Sequence, residues 1–140
     1  MEITKEQLIK NLNVDLSKEY GAAVQYVQHS GVMTGAAYGN IQKELIVHAN
    51  EELGHAVTLA DQIDYLGGVP TAEIDKVHTA DGNEEMLQQD LDGELDAVGR
   101  YTERIKQAES LNLLDLAQKL REILAVEQEH AMDLTNALVK

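Results

Sequence analysis

The sequence contains no cysteine, which excludes disulfides, thiolate nucleophiles, cysteine-ligated zinc and iron–sulfur or rubredoxin-type centres. Any metal it holds must use Asp, Glu, His or Tyr. Phenylalanine and tryptophan are also absent, leaving Leu, Ile, Val and Ala to build a core around five tyrosines. Pro70 is the single proline, so little in the chain interrupts a helix. No apolar run approaches the roughly 18 residues of a membrane-spanning helix. Basic residues are scarce: 11 face 25 acidic ones, for a formal charge of −14. That balance repels nucleic acid and anionic membranes, so neither is expected as a partner, and it draws in cations. The amino terminus is charged within its first residues and has no apolar h-region, so a cytoplasmic location is expected.

What the sequence does have is helical period. Its 140 residues suit one domain, 1–140. Apolar residues recur at three- and four-residue steps over 5–34, 39–66, 82–109 and 113–138, which predicts an all-α fold of four helices. Thr4 with Gln7, and Asp81 with Glu84, offer capping boxes for the first and third helices. Gly67-Gly68 ahead of Pro70 ends the second. The joints at Gly35–Gly39 and Ser110–Asn112 are short enough to force antiparallel neighbours, which gives two helical hairpins. The stretch Gly31, Gly35, Gly39 reads as the frayed end of one helix turning into the next. Between the hairpins, Gly67 to Ala80 can extend over about 46 Å, and a helix of some 28 residues is about 42 Å long. A crossover of that reach would make the third helix parallel to the second, a floppy loop of the same length being the alternative, so the expected architecture is a four-helix bundle with one long crossover.

An offset of 75 residues superimposes the hairpins at their ionisable positions: Glu19 on Glu94, Tyr26 on Tyr101, Glu52 on Glu127 and His55 on His130. Each hairpin carries Glu, then Tyr, then Glu-x-x-His, and the joints place the paired glutamates level across each hairpin near the helix midpoints. These groups interrupt the stripe that faces the core on every helix, as in Leu8, Leu12, Leu16, Glu19, Ala23, Tyr26 and in Leu116, Leu120, Ile123, Glu127, His130, Leu134. Four carboxylates at one level inside an apolar bundle repel one another and are desolvated, unless protons or cations neutralise them. Two divalent ions would balance the charge. One imidazole per ion among carboxylates suits iron or manganese better than calcium or structural zinc.

With those residues in place, the chain resembles the ferritin-like di-iron carboxylate proteins, and among them the bacterioferritins. The family supplies one Glu from each of two helices and Glu-x-x-His from each of the other two. Here these are Glu19, Glu94, Glu52-Leu53-Gly54-His55 and Glu127-Gln128-Glu129-His130, with bacterioferritin-like text in HAVTLADQIDYLGGVP and EEMLQQDLDGELDAVGRY. The resemblance implies a ferritin-like four-helix bundle that binds two iron ions per subunit. Glu52 and Glu127 would bridge them, His55 and His130 would each give one nitrogen ligand, and Glu19 and Glu94 would be terminal. It implies a ferroxidase and iron storage or detoxification protein that oxidises Fe²⁺ with O₂ or peroxide. The family's haem-binding methionine position is Leu53, which argues against a haem in the usual place and leaves Met33, Met86 or Met132 as other ligands. With Lys140 last and no residues for a fifth helix, the expectation is a homo-oligomeric shell of about 12 subunits. Ala97 stands where rubrerythrins carry an extra Glu.

The same ligands also fit a stand-alone di-iron oxidoreductase that reduces peroxide or hydroxylates an organic substrate, and a metal-free bundle with hydrogen-bonded polar groups is the bland alternative. Tyr26 and Tyr101 read either as core tyrosines or as groups orienting a carboxylate, with Tyr26 the better candidate for a role beside the irons. His48, one turn before Glu52, reads as a hydrogen-bonded packing residue or as a ligand to a third metal ion or to incoming iron. His29 and His78 read as surface residues. Tyr38 and Tyr65 are candidates for exposed aromatics that contact another subunit.

Overall fold

In the computed structural model, which describes residues 2–139, helix α1 (Lys5–Val32) begins at the expected capping box. The Gln7 backbone N–H donates to the Thr4 hydroxyl at 3.1 Å, and the Thr4 N–H donates to the Gln7 side chain at 2.9 Å. A 3-10 turn at Ala36–Tyr38, entered through Gly35 at φ +95°, leads into α2 (Gly39–Tyr65). Helix α3 (Asn83–Ser110) and α4 (Leu114–Ala137) form the second hairpin, and the first and last residues of the expected domain lie outside the described ones. The second capping box does not form. Asp81 sits one residue too early, and Gly82 is the N-cap of α3 without a side-chain cap. Asn83 instead bonds the backbone N–H and carbonyl of Thr34, which ties the start of α3 to the end of α1.

Helices α2 and α3 stop in the same way. Gly67 takes φ +93° and Gly68 donates back to the Ile63 carbonyl at 2.9 Å, while Asn112 takes φ 59° and Leu113 donates back to Ala108 at 2.9 Å. The crossover after Gly67 is bound along α1. Asn13 accepts from the Thr71 N–H and donates to the Val69 carbonyl, Asp75 donates to the Ser17 carbonyl, Tyr20 donates to the Thr71 carbonyl, and the His78 N–H reaches Gln25. Contacts advancing from Asn13 to Gln25 mean that the strand of chain runs with α1 and against α2. Helix α3 therefore starts beside the beginning of α2 and runs parallel to it. Helix α1 packs on α2 and α3, and α4 on α3 and α2.

The apolar interior is split in two. One cluster contains Leu8, Leu12, Leu16, Leu59, Ile63, Tyr101, Ile105 and Leu120; the other contains Tyr26, Met33, Leu45, Met86, Leu87 and Leu134. The level between them, reached by Glu19, Glu52, Glu94 and Glu127, is where the four helices turn ionisable groups inward. Among the described residues no helix is long and apolar enough to cross a membrane.

Candidate metal centre

All six glutamates and histidines of the repeated pattern meet at this level, and all are buried. Glu19, Glu52, His55 and Glu127 place one potential ligand atom each within 4.8 Å of the others, and Glu52, Glu94, Glu127 and His130 do the same. Glu52 and Glu127 are common to both groups. Around the first, His55 Nδ1 lies 3.3 Å from Glu19 Oε2, 3.2 Å from Glu52 Oε1 and 3.4 Å from Glu127 Oε1. Around the second, His130 Nδ1 lies 3.5 Å from Glu94 Oε2, 3.6 Å from Glu52 Oε1 and 3.5 Å from Glu127 Oε1. The 75-residue sequence repeat is thus a pseudo-twofold arrangement of side chains.

The two tyrosines cross between the halves. Tyr101 donates to Glu19 Oε1 at 2.8 Å and Tyr26 donates to Glu94 Oε1 at 2.8 Å, so each orients the carboxylate of the other hairpin. Burial, followed by the nearby carboxylates, pushes both phenols well above their usual range and keeps them donors. Inward-facing atoms lack such partners: among the described residues Glu52 Oε1, Glu94 Oε2, Glu127 Oε1 and His130 Nδ1 are buried and make no hydrogen bond. Orphaned acceptors of this kind are uncommon in a folded interior and suit a cation.

Protons carry the charge balance when no cation is present. Burial, then the charge of Glu127, pushes Glu19 up to about 7. Burial, and after it the charge of Glu127, likewise push Glu94 up to about 7, against the pull of the neighbouring His130. Glu52, desolvated and facing Glu19 and Glu127, is pushed well above the carboxylate range. Burial disfavours a charged His55, yet the carboxylates of Glu127 and Glu19 beside it win and raise it to about 10. His130 rises to about 9 for the same reason, through Glu94 and Glu127. Glu127, despite its burial, is held below its usual value by His55 and Glu52. At neutral pH the imidazoles therefore carry protons, Glu19 and Glu94 carry them in part and Glu127 is ionised, and a cation binding there would displace those protons.

Several groups were not legible in the sequence. His29 is fully buried rather than on the surface: its ring nitrogens lie 2.9 Å from Asp90 Oδ2 and 2.8 Å from the His78 carbonyl, because the crossover covers this face of α1. The His78 side chain is exposed, as expected. Asp15 is also fully buried, and Arg104 grips it with two hydrogen bonds of 2.6 and 3.0 Å while Arg100 adds a third at 2.7 Å. Glu51, directly before Glu52, lies 3.2 Å from His130 Nε2 and fixes that ring from behind. Leu53 faces outward, Met33 and Met86 are buried, and Met132 is exposed. Tyr65 is exposed as expected, whereas Tyr38 packs half-buried against the Met33 and Leu45 cluster.

A cavity of about 360 Å³ opens between α1, α3 and the crossover, and Glu19, Glu52, Glu94 and Glu127 line its inner end. Gly21, Ala22, Gly93 and Ala97 keep it open, and Asp75, Asp90, Asp92 and Asp96 line it beside Lys18, Lys76 and Arg100.

Two overlapping groups of Glu and His that could hold metal ions thus lie at mid-height in a four-helix bundle with a long crossover. Comparison with known proteins agrees. The family profile described as a ferritin-like domain matches residues 9–140. The bacterioferritin of Brucella melitensis is 30% identical over 125 residues, covering 89% of this chain and 78% of the relative. Among solved structures, a ferritin-like di-iron carboxylate protein from Bacillus anthracis superposes with a TM-score of 0.94 at 32% identity, over 99% of this chain and all of that one. A bacterioferritin-related protein of Bacteroides fragilis, described as a dodecameric thioferritin, gives 0.89 at 32% identity over 97% of this chain and 86% of its own. The chain belongs to the ferritin-like family, alongside the bacterioferritins and their di-iron relatives.

Proposed function

We propose that this protein is a ferroxidase and iron storage or detoxification protein whose substrate, Fe²⁺, is oxidised by O₂ or peroxide at the paired site. The observation that carries the reading is that Glu52 and Glu127 belong to both ligand groups, which sets two ions side by side rather than apart. Glu19 and His55 would complete one position, Glu94 and His130 the other, and Tyr26 and Tyr101 would hold the terminal carboxylates in place. Four carboxylates balance two Fe²⁺ ions, whereas buried unneutralised carboxylates would each be costly. The ligand chemistry admits manganese as well. The protein's contribution is to hold both ions and a small oxidant within reach of one another, so that electrons leave the irons together.

The family membership supports storage over other di-iron chemistry, and the cavity leading to the site supports it too. Acidic side chains, Asp75, Asp90, Asp92 and Asp96 among them, line the way to the four glutamates and suit the passage of a cation. We place the protein in the cytoplasm and assemble it as a homo-oligomeric shell of about 12 subunits, a reading supported by the dodecameric Bacteroides fragilis relative. Light scattering on protein given many Fe²⁺ per subunit in air tests both parts. A closed shell holding far more than two irons per chain is expected, while saturation at two in a particle of one or two chains would move the assignment to a stand-alone di-iron oxidoreductase. Glu52→Ala with Glu127→Ala should abolish tight binding of the paired ions in anaerobic equilibrium dialysis, and unchanged stoichiometry in that variant would defeat the site.

A further inference from the structure

A third constellation of potential ligands lies one turn away from the paired site. Glu44 and His48 stand four residues apart on α2, and Asp133 faces them from α4; one ligand atom from each falls within 4.8 Å of the other two. His48 Nε2 is 3.1 Å from Asp133 Oδ2 and 3.8 Å from Glu44 Oε1. The histidine is fully buried, whereas the Glu44 and Asp133 side chains are 44% and 46% exposed. A nitrogen donor thus forms the floor of a half-open site and two carboxylates form its rim.

The internal repeat supplies a control for the bland reading of packing and surface charge. At the equivalent places on the other half, 75 residues away, stand Lys119, Ile123 and Thr58. Ile123 is buried in the apolar cluster, Lys119 pairs with Asp115, and Thr58 bonds back to the Gly54 carbonyl. The bundle can therefore close at this position with an apolar residue and ordinary surface contacts. On the α2 side it carries instead a fully buried imidazole whose Nε2 is turned to the two rim carboxylates. Among the described residues neither Glu44 nor Asp133 pairs with lysine or arginine; both turn to His48.

The site also sits next to the paired one. The His48 ring stacks on His130, with centroids 3.8 Å apart and planes 22° from parallel, and Tyr26 abuts His48 edge-on at 5.1 Å. An ion bound at His48 Nε2 would be separated from the paired site by one imidazole.

We propose that Glu44, His48 and Asp133 form a third, mononuclear site for a divalent cation, where Fe²⁺ waits beside the paired site. One nitrogen and two carboxylate oxygens suit Fe²⁺, Mn²⁺ or Co²⁺, with water completing the shell on the exposed side. Because the rim is open, the ion exchanges with solvent more readily than the enclosed pair. The waiting role rests on the ferroxidase reading; the binding site does not.

Anaerobic equilibrium dialysis of the intact protein against Co²⁺ separates the two. The wild type should take three ions per chain, and Glu44→Gln with Asp133→Asn should take two. Both side chains are half exposed, so this pair of substitutions leaves the fold alone. His48→Ile, which installs the residue of the other half, should also take two. Glu52→Ala with Glu127→Ala should keep one ion, the one at His48. Equal stoichiometry in the wild type and the Glu44→Gln, Asp133→Asn variant overturns the third site, as does a wild type whose every bound ion is lost with Glu52 and Glu127. If the Glu52→Ala, Glu127→Ala variant instead keeps all its ions, the paired site is what fails.

Discussion

At the scale of single residues, the centre depends on partners that hold ligands in one orientation. Tyr101 donates the hydrogen bond that fixes Glu19 Oε1, and Tyr26 plays the same part for Glu94 Oε1. Removing such a partner typically lowers metal affinity by about 10–100-fold. Tyr101→Phe should therefore weaken one of the paired ions by about that factor and leave the other nearly unchanged, which a stepwise anaerobic Co²⁺ titration will resolve. Proton linkage gives a second test. His55 and His130 are raised to about 10 and 9, so both carry protons at neutral pH and both must lose them to bind metal. Loading the pair at pH 7 should release about two protons from the imidazoles, with a further contribution from Glu19 and Glu94, both near 7, and from Glu52, which burial raises. The sign follows: affinity rises with pH across the neutral range and falls as the medium is acidified. Calorimetry in buffers of different ionisation enthalpy counts the protons, and release of fewer than one would contradict the arrangement.

At the scale of elements, glycine separates positions that only form helix from positions that also accommodate the crossover. Gly99 lies within α3, where an added side-chain carbon would meet nothing within 4 Å, so Gly99→Ala should stabilise the protein by about 0.5–1 kcal/mol. A carbon added at Gly21 meets the Asp75 carbonyl oxygen at 3.0 Å and Asp75 Cβ at 3.2 Å. There the crossover backbone, fixed through the Asp75 N–H to the Ser17 carbonyl, would have to give way. Gly21→Ala should lose the helical gain and come out destabilising, and paired urea denaturation curves of the two variants will show opposite shifts in midpoint. The crossover does more than connect: it covers Asp90 and His29, and it forms one wall of the cavity that reaches the carboxylates.

For the whole molecule, the proposed function makes the metal-free protein, with four carboxylates buried at one level, less stable than the loaded one. Ions that bind only the folded arrangement stabilise it by mass action, about 2.7 kcal/mol for each site at a hundredfold excess over Kd. For a chain of this size, filling two sites should raise Tm by about 10 °C or more. Differential scanning calorimetry under anaerobic conditions, with Mn²⁺ or with chelator, measures the difference, and coincident curves would mean that no ion is held at the centre. The excess of acidic residues adds a long-range attraction for cations that salt should weaken.

Sequence alone determined the helical period, the Thr4 cap, the Gly67 stop and the duplicated Glu, Tyr and Glu-x-x-His spacing, because each depends on residues a few positions apart or on an exact repeat along the chain. Those local rules also placed the six inward groups, since a buried stripe and a helix midpoint follow from 3.6-residue geometry. Only the tertiary structure decided what those groups touch. Tyr26 serves the carboxylate of the other hairpin, Glu51 backs His130, and Asp133 meets His48 across two helices, contacts between positions from 68 to 85 residues apart. His29 shows the limit most clearly: helical pattern put it at the surface, and a crossover with no periodic signal of its own buried it against Asp90. Periodicity records which face of a helix is covered by its regular neighbours, while the track of an irregular segment is set by hydrogen bonds that exist only once the bundle has closed.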